Sequence, residues 1–200
     1  QKRFYGLAYD PDTEVFVTVG CTEALAASII GLCDTGDEVV VLEPSYDSYS
    51  AVIAMAGAVP KYVTLRPPHY DLDLDALRKA ITPHNPTGKV LTRSEMQGIA
   101  DLAIEHDLLV VSDEVYEHLV FDGFKHVCMA ELPGMRERTL VLSSGGKTFN
   151  TTGWKVGWVC APPELIAPVR TAKQFLTYVA AGPFQAGIAA GLRLPDEYYR

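Results

Sequence analysis

Two lysines stand eight residues apart in the stretch SSGGKTFNTTGWK, which runs from Ser143 to Lys155 and follows the apolar run TLVL. A lone lysine is ordinarily a solvated surface charge. Lys147 differs because it closes a strand-like run among small and hydroxylic neighbours, where an amine is available for covalent chemistry. A second apolar run, LLVVSDE from Leu108 to Glu114, ends in two carboxylates. These features permit two chemistries. In the first, Gly146-Lys147-Thr148 belongs to a phosphate loop and the VVSDE strand holds magnesium. That loop needs a glycine six positions before its lysine, so that backbone N–H groups can wrap the phosphates. The position is Val141, inside the strand, and Gly153 interrupts the helix that should follow. The carboxylate strand also precedes the lysine, the reverse of the usual order. In the second, the lysine holds a carbonyl cofactor as a Schiff base, and a carboxylate faces the cofactor's ring nitrogen.

Either chemistry needs a scaffold that brings distant residues to one rim. Short β-branched runs alternate with helical patterns. Strands are expected at 15–19, 38–44, 58–65, 108–114, 139–144 and 155–161. Helices are expected at 22–32, 46–56, 73–80 and 163–178, and Thr92-Arg93-Ser94-Glu95 is a capping box ahead of another, MQGIADLAIEHD. The alternation, with continuous apolar runs, predicts an α/β domain around a mostly parallel sheet. LLVVSDE shows no polar alternation and is expected to be buried on both faces. One place breaks the rhythm. LRKAITPHNPTGKVLTRSE passes from one helix to the next with only a turn signal between. A strand is expected before His84, and its residues are missing from this numbering.

Ligands of open α/β sheets bind at the carboxyl ends of strands. There the chain offers Gly20-Cys21-Thr22-Glu23-Ala24, Pro44-Ser45-Tyr46, His84-Asn85-Pro86-Thr87-Gly88, Asp113-Glu114-Val115-Tyr116, and Ser144 with Lys147, Gly153, Trp154 and Lys155. Five such motifs in this order resemble the large domain of class I/II aminotransferases, in the fold type I pyridoxal-phosphate superfamily. The resemblance covers nearly the whole chain. It implies a three-layer α/β/α domain over residues 1–200, pyridoxal 5'-phosphate as cofactor, and ping-pong transfer of an amino group from an amino acid to a 2-oxo acid. By the same resemblance, Lys147 carries the cofactor as a Schiff base and then shuttles protons. Asp113 faces the pyridinium nitrogen. Tyr116 and Asn85 hydrogen-bond the ring hydroxyl, and Tyr46 lies on the ring face. Backbone N–H groups of Cys21 and Thr22 open a helix and suit a phosphate, a cup that Ser144 and Lys155 complete. Cys21 departs from the Gly, Ala or Ser common at its position, and Glu114 and Trp154 read as structural. DEVYEHLVFDG, PSYDSY and AAGPFQ lean toward the branch of kynurenine, glutamine and N-succinyldiaminopimelate aminotransferases. A cysteine-conjugate β-lyase and a regulatory domain that keeps the fold are the alternatives. The family implies a homodimer with shared sites, and a small domain beyond Arg200 that supplies the arginine for the substrate carboxylate.

The bulk composition is that of an ordinary globular protein. The 200 residues are 48% hydrophobic and carry a net charge of −8, which disfavours binding to nucleic acid or anionic membranes. Cys21, Cys33, Cys128 and Cys160 form no CxxC pair and read as reduced thiols of a cytoplasmic protein. The five histidines lack metal-ligand spacing. No apolar run reaches the length of a membrane span, and no signal peptide is evident. Both ends read as cut from a longer chain.

Overall fold

The computed structural model describes residues 1–78, 80, 91–180 and 182–199. Along the chain run α1 (Lys2–Tyr5), β1 (Val15–Thr18), α2 (Gly20–Leu32), β2 (Glu38–Glu43), α3 (Asp47–Met55), β3 (Val59–Thr64) and α4 (Leu74–Arg78). Then follow α5 (Arg93–Glu105), β4 (Val110–Asp113), β5 (Thr139–Ser144), α6 (Gly145–Thr148), β6 (Gly157–Cys160), α7 (Pro163–Leu176) and α8 (Gly182–Gly191). The expected capping box is formed. Thr92 Oγ1 accepts from the Glu95 N–H at 3.2 Å, and the Thr92 N–H donates back to the Glu95 carboxylate at 2.9 Å, which fixes where α5 begins.

Successive strand residues point to opposite faces, and the core shows it. Leu140, Leu142 and Val159 pack with α2, α3 and α7 on one side of the sheet. Val141 and Cys160 pack with the N-terminal segment on the other. Beyond them, Leu42, Val63 and Val110 meet α4, α5 and the turn at Met129–Glu131. This is the three-layer α/β/α arrangement. No helix among the described residues is long and apolar enough to cross a membrane.

Two expectations need correction. Among the described residues the strands form two sheets, not one. β1-β6-β5-β4 form a four-stranded mixed sheet in which β6 is antiparallel to both neighbours, while β2 and β3 pair separately and in parallel. Nor is β4 buried on both faces. Val110 and Ser112 are buried, but Val111 and Asp113 are only half-buried. Residues of β2 and β4, Val111 and Asp113 among them, line a common cavity of about 630 Å³. The expected strand before His84 lies outside the described residues, as does Asn85.

Candidate active site

The site is built where β1, β2, β4 and β5 end. Gly20, at φ 75°, turns the chain from β1 into α2, a backbone conformation that residues with a Cβ rarely adopt. The residue before it, Val19, has no side-chain acceptor for the first turn of α2. The opening N–H groups of a 13-residue helix are thus presented to the rim, where they favour an anion. β6 fixes their position. A Cβ on Gly157 would lie 2.4 Å from the Gly20 carbonyl carbon and 2.7 Å from the Cys21 nitrogen, so backbone meets backbone there. Lys155 reaches the same place, with its Cδ 3.7 Å from where a Cβ on Gly20 would stand. Gly157 pairs with Ser144, the last residue of β5, which brings Ser144 to this corner.

Asp113 closes β4 and faces α2 and α3. Its carboxylate accepts from the Cys21 thiol at 3.2 Å, the Tyr49 hydroxyl at 3.1 Å and the Val115 N–H at 3.2 Å. Burial raises its pKa, and these three donors offset part of the rise. A protonated ring nitrogen is the partner that such a carboxylate can hold. Burial, with the Asp113 charge beside it, pushes the Cys21 thiol well above its ordinary value, so that group stays a donor. Tyr49 in turn meets Tyr46 edge to face, with ring centroids 5.8 Å apart. Tyr46 remains 40% exposed, so its ring is open to a ligand. One residue past Asp113 the side chain points the other way. Glu114 is buried, ion-pairs with His126, and accepts from Ser112 at 2.7 Å and the Met129 N–H at 3.3 Å. It anchors the back of the sheet and does not face the rim.

Lys147 lies in α6, the single turn that continues β5. Its Nζ stands 5.4 Å from the centroid of the Tyr116 ring, and that ring is 44% exposed. Small residues keep the turn tight: a Cβ on Gly145 would strike Ile188 Cδ1 at 2.4 Å, and one on Gly146 would lie 3.2 Å from Thr152 Cα. Trp154 stacks on Phe184 at 5.1 Å, a packing role.

The predicted residues thus fall into three linked groups. Cys21 and Asp113 meet through a hydrogen bond, and Tyr46 joins them through Tyr49. Lys147 meets Tyr116. Lys155 meets the start of α2, where Thr22 is exposed, and Ser144 pairs with Gly157, which abuts the same turn. Sequence reasoning missed Tyr49 and Gly157. Tyr49 lies in the first turn of α3, three residues after Tyr46 at its N-cap, a spacing that could have drawn attention to it. A set of helix-opening N–H groups, a lysine stem, a half-buried carboxylate and a strand-end amine fits a group with a phosphate at one end, a basic ring nitrogen at another and a carbonyl between.

The family model for aminotransferase class I and II matches residues 1–199. A probable N-succinyldiaminopimelate aminotransferase of Mycobacterium tuberculosis is 51% identical, across 99% of this chain and 53% of its own length. That alignment extends over 210 positions, so about a dozen of the relative's residues have no counterpart among the 200 here. Kynurenine–oxoglutarate transaminase 3 of Rattus norvegicus is 46% identical, across 94% of this chain and 46% of its own. Among solved structures, the M. tuberculosis N-succinyldiaminopimelate aminotransferase superposes with a TM-score of 0.95 at 51% identity, covering 99% of this chain and 55% of that one. A methionine aminotransferase of Escherichia coli superposes at 0.93 with 38% identity, covering 99% and 55%. The chain spans about half the length of the curated relatives it matches.

Proposed function

Because the chain belongs to the family of class I and II aminotransferases, we propose that the whole protein transfers an amino group from an amino acid to a 2-oxo acid with pyridoxal 5'-phosphate. The observation that carries this reading is the pairing of β4 with β5, adjacent parallel strands that end in a half-buried, hydrogen-bonded carboxylate and, one turn on, a lysine. Bound pyridoxal phosphate supplies a carbonyl that condenses with amines and a protonated ring that accepts an electron pair. The chain's residues supply the rest. Lys147 Nζ holds the cofactor and then moves a proton away from the substrate's Cα. Asp113 keeps the proton on the ring nitrogen, and Cys21 and Tyr49 hold Asp113 in place. Tyr46 covers the ring, a contact worth roughly 0.5–1.5 kcal/mol beyond burial. Cys21 and Thr22 N–H groups, Ser144 and Lys155 receive the phosphate. Tyr116 and Asn85 address the ring hydroxyl.

The identity to the M. tuberculosis relative favours N-succinyldiaminopimelate with 2-oxoglutarate as the substrate pair. Kynurenine is the second reading, favoured by the rat relative. Residues 1–200 are assigned to the cofactor-binding large domain of a cytoplasmic homodimer. Absorbance of the full-length protein with pyridoxal phosphate tests the cofactor. A visible band that is lost in Lys147→Ala is the expected result. A band that persists in Lys147→Ala, or none at all, refutes the assignment. Transamination assays with N-succinyldiaminopimelate, kynurenine and methionine then separate the donors, and no turnover of any despite a bound cofactor favours a regulatory role.

A further inference from the structure

α7 lies along α2 and holds it at two places. Near the end of α2, a Cβ on Gly31 would stand 2.7 Å from the Pro168 carbonyl oxygen, so backbone meets backbone there. The second contact joins the first turn of α2 to the end of α7, and it is made of charged groups. Glu23 is 8% exposed and Lys173 only 2%. Lys173 Nζ lies 3.9 Å from Glu23 Oε2 and donates to Thr177 Oγ1 at 3.3 Å. The Thr177 hydroxyl donates in turn to Glu23 Oε1. Glu23 Oε2 also accepts the Val19 N–H at 2.6 Å.

Two things about this contact call for a reason. A buried ion pair seldom stabilises a protein more than apolar side chains of the same volume would, so joining two helices does not explain it. A carboxylate in the first turn of α2 also repels any anion that the opening N–H groups receive. The bond to Val19 supplies the reason. In a capping box, the N-cap side chain covers an opening N–H group while a glutamate one turn on reaches back to the N-cap N–H. Val19 stands at the N-cap of α2 and has no such side chain, so only the reach-back half is present. Glu23 thereby fixes the residue that leads into the Gly20 turn, and Val19 covers none of the N–H groups beyond it. From the other side, Thr18 Oγ1 donates to the Gly20 carbonyl at 2.9 Å. We propose that Lys173 is a positioning residue for the phosphate cup, an inference that rests on the placement of the phosphate at the start of α2. Its ammonium cancels the Glu23 charge and, with Thr177, holds the carboxylate on Val19. The first turn of α2 then keeps both its aim and its attraction for a phosphate dianion. Lys173 itself touches no ligand.

Calorimetric titration of the full-length protein, freed of cofactor, with inorganic phosphate reads the cup alone. Absorbance titrations with pyridoxal phosphate and with pyridoxal, which lacks the phosphate, read the cofactor. Lys173→Met should weaken inorganic phosphate and pyridoxal phosphate alike by about 10-fold or more, the scale of an uncancelled unit charge within a turn of the anion. Pyridoxal should be left unchanged. Lys173→Met combined with Glu23→Gln removes the charge, keeps an acceptor for Val19 and should restore both affinities. Val169→Ala, in the buried core of α7, should lower Tm without touching phosphate affinity. Thr177→Val keeps both charges and removes the hydroxyl between them, and should weaken phosphate by about 2- to 10-fold; it decides the matter where Lys173→Met does not fold. Phosphate affinity unchanged in Lys173→Met or, failing that, in Thr177→Val overturns the inference. So does an equal loss for pyridoxal, or an equal loss of phosphate in Val169→Ala, since either marks a purely structural role. A wild-type protein that binds phosphate in this Lys173-dependent way, yet gives no visible band with pyridoxal phosphate, refutes the cofactor reading and upholds the positioning role. A band that forms equally well in wild type and Lys173→Met does the reverse.

Discussion

Gly157→Ala is the sharpest single perturbation of the proposed phosphate cup. The added methyl would sit 2.4 Å from the Gly20 carbonyl carbon, 2.7 Å from the Cys21 nitrogen and 2.8 Å from the Gly20 oxygen. All three are backbone atoms, so no side chain can swing aside. Ordinary contact begins near 3.4 Å, and β6 is held on both sides by pairing with β1 and β5. The start of α2 must therefore retreat by about 1 Å. Overpacking of this kind costs about 1–3 kcal/mol. For a chain of this size that is a fall in Tm of roughly 2–12 °C. The same retreat misaligns the Cys21 N–H. Losing one charge-assisted hydrogen bond to phosphate, about 1.5–3 kcal/mol, weakens pyridoxal phosphate binding by roughly 10- to 150-fold. Thermal unfolding and a cofactor titration followed by absorbance measure the two effects. Gly153→Ala is the control, because a Cβ there meets nothing within 4 Å. The reasoning fails if Gly157→Ala matches that control in Tm. The cup assignment fails separately if Tm falls and cofactor affinity does not.

Other expected outcomes concern the frame around the site. Lys173 is only 2% exposed and lies 3.9 Å from Glu23, which also accepts the Val19 N–H at the entrance to α2. Lys173→Met strands a buried carboxylate and should cost about 3–5 kcal/mol in urea unfolding, while the double variant with Glu23→Gln recovers most of it. Thr92→Ala removes the cap of α5 and should cost about 1 kcal/mol by the same assay, with Ser94→Ala, in the helix's first turn, as the comparison. His118 packs against Phe4 and Tyr199, and burial together with the charge of His126 lowers its pKa to about 4. The unfolded chain binds that proton more tightly, so stability falls as pH drops from about 6.5 toward 4. His118→Gln should flatten that part of the urea-midpoint profile, and an unchanged profile would exclude His118 as the cause.

Much of the scaffold was legible because its signals are local. β2 and β5 occupy the apolar runs that announce them, and Thr92 with Glu95 marks the start of α5 in four residues. Cys21, Tyr46, Asp113 and Lys147 stood out for the same reason, since each lies at or just after the end of a strand. Contacts between remote segments were not. Nothing near Cys21 shows that its thiol meets Asp113, 92 residues away. Nothing near Gly157 shows that its missing side chain admits the Gly20 backbone. The division into two sheets among the described residues was not legible, because strand pairing is a contact between remote segments.

Lys155 sits in the left-handed backbone region at φ 52°, between a short 3-10 turn and β6. For a lysine that conformation costs roughly 1–2 kcal/mol, and glycine would adopt it freely. Its stem also lies beside Gly20, so the residue carries a local conformational penalty at the edge of the proposed phosphate cup. Stability and ligand affinity therefore pull in opposite directions at this position. Selection for thermal stability alone would drift toward Lys155→Gly and surrender the cation, whereas selection for turnover would hold the lysine in its strained conformation.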